Sequence, residues 1–98
     1  MGTKMRRAKA NVFQDLGFDP EESENLRVRA DLMIELSRLI KNEKWTQAEA
    51  AKIMGVSQPR ISDLVRGKID KFSIDSLISM LGSAGVKVRI TTSVKSVA

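Results

Sequence analysis

Between Ser57 and Lys71 the chain gathers a glutamine, two serines, two aspartates and four cationic residues within fifteen positions. Gln58, Pro59, Ser62, Asp63 and Arg66 fall on one side of a helix of 3.6 residues per turn, with Arg60 on its flank. Ile61, Leu64 and Val65 fall on the other side and form the expected buried stripe. Amide, hydroxyl and carboxylate groups exchange hydrogen bonds with base edges, and guanidinium or ammonium groups hold phosphate. That combination suits a DNA major groove. The same pattern also describes a solvated face above an ordinary apolar stripe, so the flanking residues must distinguish the two.

The flanking residues form two short helices joined by a tight corner, over Thr46 to Gly67 (TQAEAAKIMGVSQPRISDLVRG). Thr46 and Glu49 have the spacing of a capping box, and Trp45 and Ala50 that of a hydrophobic staple. Ala50, Ala51 and Met54 share a face, and the small alanines let a second helix cross close by at a steep angle. Gly55 supplies a left-handed helix end and Val56 plugs the corner. Ser57 caps the second helix, whose first turn tolerates Pro59 because those amides lack intrahelical partners. All these signals fall in one register, which a generic helical bundle would not require.

Catalysis finds little support. Cysteine and histidine are absent, removing thiol nucleophiles, disulfides, the commonest general base and the usual zinc ligands. No paired carboxylates, phosphate-cradling glycine loop or metal-ligand cluster stands out, so a non-enzymatic protein without a cofactor is expected. The 98 residues suffice for one modest core, and dimerisation would help so small a domain. A net charge of +5 favours a polyanionic partner. No apolar run approaches a membrane span, and no apolar stretch follows Lys4, Arg6, Arg7 and Lys9 as in a secretory signal. A cytoplasmic, nucleoid-associated protein is expected.

Residues 1–19 read as a basic flexible arm followed by a short apolar segment, and residues 20–98 as the helical domain. The arm is either a solvated tail or one that follows DNA phosphates or enters a minor groove. Val12, Phe13, Leu16 and Phe18 cluster ahead of Asp19-Pro20-Glu21-Glu22, a strong helix start. That cluster either packs on the bundle or docks a protein partner. A first helix should run from Pro20 to about Asn42, with Leu26, Ala30, Met33, Leu36 and Ile40 inward and Leu32 and Leu39 widening the stripe. Its acidic start, Glu21, Glu22 and Glu24, suits the helix dipole and offers a surface to a basic partner. After Gly67 and a loop, Ser73 should cap a helix burying Ile74, Leu77, Ile78 and Leu81, ended by Gly82 and Gly85. Val86, Val88 and Ile90 alternate with Lys87, Arg89 and Thr91, predicting a half-buried strand that pairs with its copy in a dimer, or else with the N-terminal segment, or frays. The expected fold is thus mainly α, a compact four- to five-helix bundle with one C-terminal β-strand.

Residues 46–67 resemble the helix-turn-helix of the XRE family, the phage-repressor-like regulators. The resemblance extends over NVFQDLGFDPEE, ISDLVRGKIDKFSIDSLISML and VKVRITT to the HigA-like antitoxin branch. It implies that Gln47 holds phosphate and Gln58 reads a base edge, their amides bracing one another. Pro59 would meet a thymine methyl, and Asp63 would accept from cytosine N4 or simply repel phosphate and orient Arg60; Ser62 would bond either base or phosphate. Ser57, Arg60, Arg66, Lys68 and Lys71 complete the phosphate-binding set. The resemblance further implies a homodimeric repressor on a palindromic operator, autoregulating its operon and neutralising a small basic RelE-like toxin. A free-standing regulator without a toxin, or an interaction module that no longer binds DNA, remains the alternative.

Overall fold

The computed structural model describes residues 16–17 and 19–94 of the 98-residue chain. Four α-helices surround one core: α1 (Pro20–Glu43), α2 (Gln47–Met54), α3 (Gln58–Val65) and α4 (Ile74–Ser83), with a 3-10 turn at Ile69–Lys71. The expected helical bundle is therefore present. The basic arm and Val12, Phe13 and Phe18 lie outside the described residues. Leu16 is described and exposed.

Helix α1 starts where its chemistry dictates. The Asp19 carboxylate accepts from the Glu22 amide at 2.8 Å, and Pro20 occupies a position whose missing N–H has no helical partner. Leu26, Met33, Leu36 and Ile40 are buried along one stripe, and Leu32 and Leu39 pack against the core from its edges. The helix closes at Lys44, held in the left-handed region at φ 59°, while the Trp45 amide reaches back to the Ile40 carbonyl at 3.1 Å. Near its start, Arg27 donates to Glu24 at 2.6 Å and to buried Asp31 at 3.1 Å. The Glu24 hydrogen bond, opposed by partial burial, holds that guanidinium above its ordinary pKa.

Helices α2 and α3 pack closely on each other; α2 rests on α4, and α3 rests on α1. Ala50 and Ala51 are buried at this crossing with Met54, and Val56 fills the corner as expected. On α3, Ile61 and Leu64 are buried, but Val65 is 41% exposed. It leaves the expected stripe because an eight-residue helix packed on α2 covers little beyond two inward positions.

Helix α4 packs along α1 and completes the core with Leu77, Met80 and Leu81. Ile74 and Ile78 are half-buried, and Gly82 lies within the helix instead of ending it. Termination falls to Gly85 at φ 83°. Its amide bonds the Gly82 carbonyl at 3.0 Å and the Val86 amide bonds the Leu81 carbonyl at 2.9 Å, the paired closure of a Schellman motif. Beyond it, Val86 and Val88 pack on the core and Ile90 is 71% exposed. No strand is formed among the described residues. The alternation is in place, but among the described residues no second extended segment supplies the ladder a strand requires.

Gly55 sits at φ 69°, and a Cβ there would meet nothing within 4 Å. The cost of a side chain is therefore torsional. Gly55→Ala should lower unfolding stability by about 1 kcal/mol, with Gly55→Asn less affected. Urea denaturation would check this, and equal stability of alanine and glycine would contradict the assignment of the corner to backbone conformation.

Candidate nucleic-acid interface

The interface is built from the two capped helix starts. At α2 the Glu49 amide donates to Thr46 Oγ1 at 3.1 Å, and the Thr46 amide donates to Glu49 Oε1 at 2.8 Å. This reciprocal pair is the predicted capping box, and it places Gln47, exposed, at the first helical position. At α3 the Arg60 amide donates to Ser57 Oγ at 3.3 Å, which spends the Ser57 side chain on capping. Gln58 and Pro59 follow as the exposed first residues of that helix. No hydrogen bond joins the Gln47 and Gln58 side chains, so the expected bracing is not made among the described residues.

Along α3, Gln58, Pro59, Ser62, Asp63 and Arg66 lie on the side away from Ile61 and Leu64. Gln58, Pro59 and Arg66 are exposed, and Ser62 and Asp63 are half-buried. Lys68 Nζ lies 3.8 Å from Asp63 Oδ1. The carboxylate thus meets a cation from the following loop and not Arg60, as one reading of the sequence had it. This pairing lowers the charge that Asp63 presents to an approaching phosphate.

Arg60 differs most from the expectation. Its guanidinium donates to the Lys71 carbonyl at 2.7 Å and lies 4.3 Å above the centroid of the Phe72 ring. It joins α3 to the loop instead of extending outward. Lys71 remains exposed, and its carbonyl serves as the anchor. Two contributors escaped sequence reasoning. Phe72 is buried beneath Arg60 although it reads as part of a loop. Arg29, on α1, donates to the Ile69 and Phe72 carbonyls at 3.2 and 3.3 Å and to Asn25 Oδ1 at 2.7 Å. Loop 68–72 is therefore held from both sides by arginines. Its position relative to α3, and with it that of Lys68 and Lys71, is fixed by side chains remote in sequence.

Among the described residues no group of three His, Cys, Asp or Glu side chains converges as a metal site. No described helix is long and apolar enough to cross a membrane.

The geometry is that of two capped helices meeting at a left-handed glycine, the second with a polar outer face. Residues 12–93 match the family described as Helix-turn-helix domain. The chain belongs to that family. Its helix-turn-helix is α2 and α3, with α3 in the position of the DNA-reading helix. In the helix-turn-helix domain Gln47, Gln58, Pro59, Arg66 and Lys71 are exposed and Ser62, Asp63 and Lys68 half-buried, while Ser57 Oγ caps α3 and Arg60 Nη1 is tied to the Lys71 carbonyl. No curated protein matches the chain.

Proposed function

We propose that this helix-turn-helix protein is a non-enzymatic, sequence-specific transcriptional repressor that binds a palindromic operator as a homodimer and serves as the antitoxin of a type II toxin-antitoxin pair. The observation that carries the DNA-binding part is α3: its inner residues Ile61 and Leu64 are fully packed while Gln58, Pro59 and Arg66 are exposed beside Ser62 and Asp63. A helix so supported can enter a major groove without unpacking the domain. The antitoxin part is supported by the resemblance of residues 11–94 to the HigA-like branch. It is also supported by exposed Glu21 and Glu22 at the start of α1, remote in sequence from α3 and suited to a basic toxin.

The test is binding to duplex from the protein's own promoter against scrambled duplex, followed by fluorescence anisotropy across a salt series. Preference for the promoter, with affinity falling as salt rises, is expected. Equal, weak binding to both would defeat the repressor reading. Affinity capture of a small basic protein, if one is encoded in an adjacent reading frame, tests the antitoxin part, and Glu21→Lys with Glu22→Lys should weaken it.

Dimerisation through residues 86–90 is supported by exposed Ile90 beside Val86 and Val88, which already pack on the core. Pairing two copies of this segment antiparallel would satisfy the unladdered backbone and set the reading helices about 34 Å apart, one turn of duplex. Ile90→Lys leaves the packed valines untouched and should shift sedimentation from dimer to monomer at micromolar concentration. An unchanged dimer would remove this segment from the interface.

A further inference from the structure

An open cleft of about 460 Å³ lies between α1 and the loop that follows α3, lined by Asn25, Arg29, Arg60, Lys71, Phe72 and Asp70 among others. Arg29 and Arg60 are half-buried, yet neither has a carboxylate partner among the described residues. Each is instead oriented by main-chain carbonyls of the same loop. Those bonds use Nη1 of each guanidinium, and Arg29 Nε goes to Asn25. Arg29 Nη2 and the Nε and Nη2 groups of Arg60 make no hydrogen bond, leaving donors available to the cleft. With Lys71, three cations line the cleft against the single carboxylate of Asp70. Half-buried guanidinium groups gain most from a charge-assisted partner, and a tetrahedral oxyanion can accept from several planar donors at once.

We propose that this cleft binds a phosphate group, with Arg29 and Arg60 as its donors and Lys71 as a supporting charge. The loop carrying the cleft directly follows α3, so a backbone phosphate of the bound duplex is one source, and that arm rests on the DNA-binding reading. A free phosphorylated ligand presents the same chemistry. Arg29 thereby joins the binding surface although it lies on α1, outside the helix-turn-helix.

Two measurements on the full chain separate the sources. The first follows the Arg29 and Arg60 Nε–Hε resonances while inorganic phosphate replaces chloride at constant ionic strength. Saturable shifts that Lys71→Gln weakens and Arg29→Gln abolishes are expected if the cleft accepts free phosphate. The second uses promoter duplexes carrying one neutral methylphosphonate at a time. A single position flanking the helix-bound groove should weaken wild type about tenfold, with little further loss in Arg29→Gln or Lys71→Gln. Lys71 is exposed and contributes its carbonyl, not its side chain, to the fold, so that variant keeps the test valid should Arg29→Gln unfold. Phosphate saturation alone identifies a free ligand, methylphosphonate coupling alone identifies the DNA backbone, and both together identify a shared site. Absence of both overturns the proposal. Should the chain bind no duplex, the resonance titration still decides the cleft independently of the DNA-binding reading.

Discussion

Phe72→Ala should cost about 3–5 kcal/mol of unfolding free energy, the range for removing a buried aromatic ring. Phe72 is 2% exposed and belongs to the cluster of Leu36, Ile61, Leu64 and Leu77, so the vacated space opens at the centre of the domain. Domains of this size have little stability to spare, and a loss of that magnitude would leave much of the variant unfolded at physiological temperature. The damage also extends beyond volume. The ring supports the Arg60 guanidinium at 4.3 Å, and the Phe72 carbonyl accepts from Arg29 at 3.3 Å. Losing the ring frees the loop that carries Lys68 and Lys71. Phe72→Leu separates the two effects: it keeps most of the apolar volume and removes the cation–π contact, for a cost of about 1 kcal/mol. A double-mutant cycle with Arg60→Ala should return a coupling of about 0.5–1 kcal/mol for phenylalanine and none for leucine. Equilibrium urea unfolding supplies all these values. A Phe72→Ala loss under 1 kcal/mol would show that the ring is not a core residue.

Why Phe72 was hidden in the sequence, while Gly55 was plain, comes down to range. Capping is chemistry between residues three apart, so Thr46 with Glu49, Ser57 with the Arg60 amide, and Asp19 with the Glu22 amide were all readable from spacing. The α1 stripe was readable for a related reason: a 24-residue helix repeats its period often enough to fix its phase. Short helices do not. In α3 the phase admitted Val65 inside, and in α4 it favoured Ile78 over Met80, because helices of eight and ten residues repeat the period too few times to rule out a neighbouring position. Gly82 read as a stop because glycine is a poor helix former, yet in the last turn its cost is small and Gly85 carries the left-handed turn. The remaining features depend on sequence separations that no local pattern encodes. Arg29 reaches carbonyls 40 and 43 residues away, and Arg60 turns from the outer face because a carbonyl and a ring lie within its reach. The residues of the outer α3 face were therefore legible as types and positions, whereas their side-chain partners were not. For residues 86–90 the alternation was legible, but a ladder partner is not a property of one chain's local sequence.

Gln58→Ala and Arg66→Ala should fail in different ways, and the difference tests the role of α3 more sharply than loss of affinity would. Gln58 is exposed at the first position of the helix, where an amide can donate and accept simultaneously against the N7 and N6 edge of adenine. Removing it should cost about 1–3 kcal/mol of discrimination at each half-site, counted twice on a palindrome, while binding to scrambled duplex changes little. Arg66 is exposed at the other end, where α3 gives way to the loop of Lys68 and Lys71, and on the proposed reading its guanidinium would meet the polyanionic backbone without regard to sequence. Arg66→Ala should weaken promoter and scrambled duplex alike and reduce the slope of log affinity against log salt by about 1 per half-site. Neither side chain is buried, so both variants should retain wild-type unfolding midpoints, and changes in binding can be assigned to the interface. Asp63→Asn supplies an internal control. It releases Lys68 from its 3.8 Å pairing and removes a negative charge from the reading side, so binding to every duplex should strengthen at low salt. If Gln58→Ala left the promoter-to-scrambled ratio untouched while Arg66→Ala still lowered both affinities, α3 would be a phosphate-tracking helix and sequence reading would have to come from elsewhere on the chain.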